Sequence, residues 1–144
     1  MVSALHEEKV VGKVIIGLLR GNTQGLGKDI VAATLRAAGF QVVDLGVDVS
    51  PERFTDAAIQ EKARIIAISI SVGETVPLLR DVVENLKQRK LRDTVGIVVG
   101  GQAVSEQTYK EYEVDAYARD AGDCVKKVRH LLNTSRNEAA AQCN

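Results

Sequence analysis

Short, near-continuous apolar runs alternate with longer amphipathic stretches along this chain. The runs are Val14–Leu19, Val42–Leu45, Ile65–Ile70, Val95–Val99 and, more weakly, Ala116–Ala118. They are rich in valine and isoleucine and show little polar alternation, as strands buried on both faces should. Between them, apolar positions recur at helical spacing. Residues Lys28–Ala38 gather Ile30, Val31, Thr34 and Leu35 on one face and stop at Gly39, a favourable C-terminal residue. Ser50-Pro51-Glu52 reads as an N-cap serine followed by proline in the first turn, opening a helix to about Lys62. Leu78, Val82, Val83 and Leu86 mark a helix over Pro77–Arg89. Ser105 caps a short one to about Tyr112, and Asp120–Leu132 is the last.

Strands and helices in strict alternation predict an α/β fold. The best match is a flavodoxin-like (Rossmann-like) doubly wound sheet of five parallel strands in three α/β/α layers. Ligands on such sheets bind beyond the carboxyl ends of the strands, near the topological switch point. This brings the loops Arg20–Gly27, Gly46–Ser50, Ser71–Val76 and Gly100–Ser105 to one edge. The domain is expected over residues 11–133, with 1–10 as an N-terminal extension and 134–144 as a flexible C-terminal tail.

Composition excludes several function classes. With 144 residues the chain can close one hydrophobic core but not two. Its 19 basic and 19 acidic residues cancel, leaving no field of one sign to recruit nucleic acid or an anionic membrane. Three tyrosines, two phenylalanines and no tryptophan give no platform for stacking bases. No apolar run approaches the roughly 20 residues of a membrane span, and the start lacks a signal-peptide pattern. A cytoplasmic location is expected. Cys124 and Cys143 fit no metal-binding spacing, so a zinc site is not expected.

The loop Gly21–Asp29 is the most glycine-rich of the candidate ligand loops. It is not a phosphate-binding P-loop, which needs four residues between its glycines and then Lys-Ser/Thr. Here five residues separate Gly21 from Gly27, and Asp29 follows Lys28. A dinucleotide fingerprint starting at Gly25 would need Gly or Ala at position 30, which is Ile30. Taken singly, other candidates read as structural. Gly100-Gly101 suits a turn, Ser69 a small residue near a strand end, and Cys124 a small core residue. Glu74, His6 and His130 suit solvated positions. Lys28 and Asp29 suit the surface of a first helical turn, with Lys28 within reach of a phosphate. No nucleophile–base or paired-carboxylate arrangement is legible.

As an ordered set, however, these loops resemble the cobalamin (B12)-binding domain of methionine synthase and of corrinoid methyltransferase systems. That family carries Asp-x-His-x-x-Gly in the first loop, Ser-x-Leu after strand three and Gly-Gly after strand four. Gly27, Ser69 and Gly100-Gly101 stand at the matching positions. Gly39–Val49 (GFQVVDLGVDV) and Leu91-Arg92-Asp93 are similar to methyltransferase corrinoid proteins as well. The likeness runs from about Val11 to Leu132. It departs at three positions: Asn22 for Asp, Gln24 for His and Ser71 for Leu.

The resemblance implies a corrinoid pocket formed by Asn22, Thr23, Gln24, Gly25, Gly27, Ser69, Ser71, Gly100 and Gly101. In the family, the histidine replaces the cofactor's own dimethylbenzimidazole beneath cobalt, and the aspartate accepts its second N–H. A glutamine amide is a poor donor for cobalt, which imidazole suits, so histidine ligation is excluded and the protein supplies no metal ligand. The function implied is that of a methyl carrier, a cofactor-holding component working with a partner methyltransferase or capping subunit. The alternatives are a cobalamin-free regulatory or interaction paralogue and the small subunit of an adenosylcobalamin-dependent mutase. About twelve residues precede strand one. The small helical domain that covers the corrin in such carriers is therefore expected to be missing, leaving a partner to cover the ring. Self-association into a homo-oligomer is the remaining partner expectation.

Overall fold

The structure, a computed structural model, describes residues 12–143, and side chains as far as Thr134. Five parallel strands run in the order β2-β1-β3-β4-β5. They are β1 (Lys13–Leu18), β2 (Gln41–Asp44), β3 (Ile65–Ser69), β4 (Gly96–Gly100) and β5 (Ala116–Tyr117). This is the flavodoxin-like order, and its switch point falls between β1 and β3. Among the described residues, five α-helices alternate with the strands: α1 (Leu26–Ala37), α2 (Pro51–Glu61), α3 (Leu79–Gln88), α4 (Glu106–Glu111) and α5 (Ala121–Cys143). Among the described residues, no helix is long and apolar enough to cross a membrane.

Because successive strand residues point to opposite faces, the central strands feed two cores. Val14 and Ile16 of β1 join Leu35, Phe40 and Val128 on the α1/α5 face. Ile15 joins Ile66, Ile97, Val82 and Phe54 on the α2/α3 face. Phe54 reaches the sheet because Gly17 lies beneath it; a Cβ at Gly17 would stand 3.2 Å from its ring. The N-terminus of α2 follows the sequence: the Ser50 hydroxyl accepts the Arg53 N–H at 3.1 Å, and Pro51 lies in the first turn.

Three boundaries differ from those read along the chain. Helix α1 begins at Leu26, so Gly27 belongs to its first turn. The segment around Pro77 is a 3₁₀ turn, Gly73–Leu78, that precedes α3; Thr75 anchors it by donating both its N–H and its hydroxyl to the Val72 carbonyl. Helix α5 continues past Leu132 to Cys143. That stretch holds no Gly or Pro to stop it and includes the helix-favouring Ala139–Ala141. The extension 1–10, including His6, lies outside the described residues.

Candidate cofactor-binding site

A cavity of about 250 Å³ opens at the carboxyl edge of the sheet, between the strands and helices α1 and α5. Ile16, Ala67 and Val98 form its floor, Ile30 and Val31 one wall, and Ala121 and Cys124 the other. Gly27, Ser69, Gly100 and Gly101, four of the residues expected at the site, line it. The lining is mostly apolar, with Lys28, Arg119 and Asp120 as its charged members. Gly27 has open space where a Cβ would stand. It shares a helix face with Ile30 and Val31, three and four residues on, so its missing side chain leaves the mouth clear.

Gly101 works differently. Its φ of +110° is a left-handed conformation, and a Cβ there would collide with the backbone of Ile70. A bulky residue at Gly101 would therefore be costly to the fold. Gly101 is exposed, yet β3 leaves the sheet against its backbone, and a side chain has nowhere to go.

Asn22 does not line the cavity. It is completely buried, and its carboxamide is fully committed. Oδ1 accepts the N–H groups of Ser71 and Val72, each at 2.8 Å. Nδ2 donates to the Leu19 carbonyl and to the Thr75 hydroxyl, each at 2.9 Å. Its backbone carbonyl takes the Asp48 N–H at 3.0 Å. With two peptide N–H groups on its oxygen, Asn22 Oδ1 is not free to accept from an imidazole at position 24. Thr23, Gln24 and Ser71 are exposed at the same edge, and Gly25 is half-buried.

Lys28 is not a surface residue. Only 5 % of its side chain is accessible, and its Nζ contacts Asp44 at 2.6 Å and Asp29 at 2.8 Å. The other oxygen of Asp44 accepts the Gly46 N–H at 2.8 Å. Burial pushes the Lys28 pKa down, but the hydrogen bonds and charges of the two carboxylates outweigh it and leave the ammonium above its ordinary value. The two carboxylates engage two of the three Nζ donors and fix the side chain at the lining of the cavity. Its burial was hidden in the sequence because its partner Asp44 lies sixteen residues away, at the end of β2. Asp29, Glu74 and His130 are exposed, as expected.

The α5 wall was not legible as part of the site. The only hint was the run of small residues around Ala118, Ala121 and Gly122. Cys124 is buried there as expected, with its thiol pushed up to about 12 by desolvation and by the neighbouring Asp123 charge. Among the described residues, no group of three or more His, Cys, Asp or Glu could hold a metal ion.

A family model described as the B12-binding domain matches residues 12–126. The chain belongs to the B12-binding domain family. Trimethylamine corrinoid protein 1 of Methanosarcina acetivorans is 40 % identical over 126 residues, which is 88 % of this chain and 58 % of that protein. The monomethylamine corrinoid protein of Methanosarcina barkeri superposes with a TM-score of 0.80 at 30 % identity, over 90 % of this chain and 62 % of the other. The methanol:cobalamin methyltransferase complex of the same organism gives 0.81 at 27 % identity, over 90 % and 52 %. The chain thus spans little more than half the length of these relatives.

The glycine-lined apolar slot suits the flat base of a cobalamin. The first loop lies outside the lining of that slot; there Gln24 is exposed and both hydrogen-bonding ends of the Asn22 carboxamide are engaged.

Proposed function

We propose that this chain is the corrinoid-binding unit of a methyl-transfer system. The open slot beside Gly27, lying along the switch-point edge of the sheet, is the observation that carries this reading. A bound corrinoid would supply the chemistry, the acceptance and release of a methyl group at cobalt. The chain's own residues bind and orient. Ile16, Val31, Ala67 and Val98 would exclude water from the buried base, and Ser69 offers it a hydroxyl. Arg119 at the slot mouth is highly exposed and lies at hand for the tail phosphate. No protein nitrogen would lie beneath cobalt.

A methyltransferase partner would load and unload the methyl group and cover the open face of the ring. The likeness to a protein of the methanol:cobalamin methyltransferase complex supports a partner of that kind. A cytoplasmic location goes with this reading.

The test is direct. Purified protein incubated with hydroxocobalamin and desalted should retain the corrin absorbance in stoichiometric amount. A colourless protein would favour the cobalamin-free paralogue. With the protein fully ¹⁵N-labelled, electron paramagnetic resonance of the bound Co(II) form should show no ¹⁵N doublet.

A further inference from the structure

The loops of the carboxyl edge present an unusual set of exposed apolar side chains. Leu26 is 76 % exposed, Val47 45 % and Val72 41 %. Each follows a different strand: Leu26 opens α1 after the β1 loop, Val47 lies in the loop after β2, and Val72 in that after β3. The second lies against the first loop, since a Cβ at Gly25, the residue before Leu26, would stand 3.6 Å from Val47. Val72 is held to the first loop by its N–H on Asn22.

All three loops meet on one residue. Asn22 belongs to the first, its backbone carbonyl holds the second at Asp48, and its carboxamide holds the third at Ser71, Val72 and Thr75. Asp48 returns the contact by accepting the Gly21 N–H at 2.8 Å. The arrangement needs an amide. Two partners are peptide N–H groups that require an acceptor, and one is the Leu19 carbonyl, which requires a donor. A carboxylate could serve only the first kind and would set an oxygen against the Leu19 carbonyl.

We propose that Asn22 is a positioning residue: its carboxamide fixes the Val72 loop against the first loop, whose backbone holds the Val47 loop, so that Leu26, Val47 and Val72 form an apolar platform that holds the corrin ring by contact, in place of a nitrogen–cobalt bond. This rests on the corrinoid-binding reading above. The platform accounts for side chains that would otherwise leave apolar surface in water on these loops. It also accounts for a buried amide at a position where a carboxylate would serve an imidazole better.

The experiment titrates hydroxocobalamin into wild type, Asn22→Asp and Thr75→Val, below the melting temperature of each. It reads Kd by absorbance and records the induced circular dichroism of the corrin band at saturation. Thr75→Val removes only a half-buried hydroxyl of the latch, so it keeps the test alive if Asn22→Asp does not fold. Asn22→Asp should raise Kd on the order of ten-fold or more, and Thr75→Val by a few-fold, as expected for lost buried hydrogen bonds. Both should alter the dichroism at saturation, because the ring lies on a displaced platform. A role confined to folding stability would leave the saturated spectrum unchanged. A Kd within two-fold of wild type, or an unaltered saturated spectrum, in the folded variants overturns the proposal and leaves the corrinoid reading standing. Failure of wild type to bind overturns both.

Discussion

Replacing Gly27 with leucine should separate the slot from the fold. Gly27 lies in the first turn of α1, is exposed, and has open space around the position of a Cβ. Leucine therefore meets no neighbour in the free protein, and the helix gains the propensity difference between glycine and leucine, about 0.5–1 kcal/mol. For a domain of this size that corresponds to a rise in Tm of about 1–4 °C. The same side chain stands beside Ile30 and Val31, where the flat base of a cobalamin would enter. Forcing extra methylene groups into a filled site costs about 1–3 kcal/mol, or roughly 5- to 150-fold in Kd. Thermal unfolding of the free protein and an absorbance titration with hydroxocobalamin measure the two effects independently. A leucine variant that binds as tightly as wild type would refute the slot as the seat of the base. One that unfolds early would refute the open geometry at the mouth of α1.

Gly101→Leu should fail at the level of the fold, with poor expression or a melting temperature far below wild type, since its Cβ meets the Ile70 backbone at a positive φ. Lys28→Met should destabilise by about 1–3 kcal/mol, the usual cost of unmaking charged hydrogen bonds, read by chemical denaturation at neutral pH. Because the folded Lys28 pKa is raised above its unfolded value of 10.5, its contribution is whole below about pH 10.5 and is lost as pH climbs through the folded value. The loss in Lys28→Met should accordingly shrink only in strongly alkaline buffer. Cys124, with a thiol pushed up to about 12, is about one part in ten thousand thiolate at pH 8. Mass spectrometry should find it resistant to iodoacetamide in the folded protein and reactive once urea unfolds it; ready alkylation of folded Cys124 would contradict its burial.

The layered fold could be read from the chain because its signals are local. Val- and Ile-rich runs can be strands only if both faces are covered, and helices between them supply the cover. The Ser50-Pro51 start of α2 and the glycine positions of the ligand loops are likewise written in short stretches of sequence. What the sequence could not carry was pairing across distance. Lys28 looks like a solvated first-turn residue until β2 brings Asp44 beneath it. Asn22 looks like a weakened aspartate until β3 delivers two peptide N–H groups to its oxygen. Gly101 looks like an ordinary turn glycine until the Ile70 backbone crosses it. Helix α5 looks like a cover for the sheet until Cys124 and Ala121 prove to be a wall of the slot. In each instance the side chain's role depends on a partner many residues away, and only the stacking of parallel strands fixes which partner arrives. The identity of the family was therefore carried by the sequence, while the means by which its loops are held in place was decided by the tertiary structure.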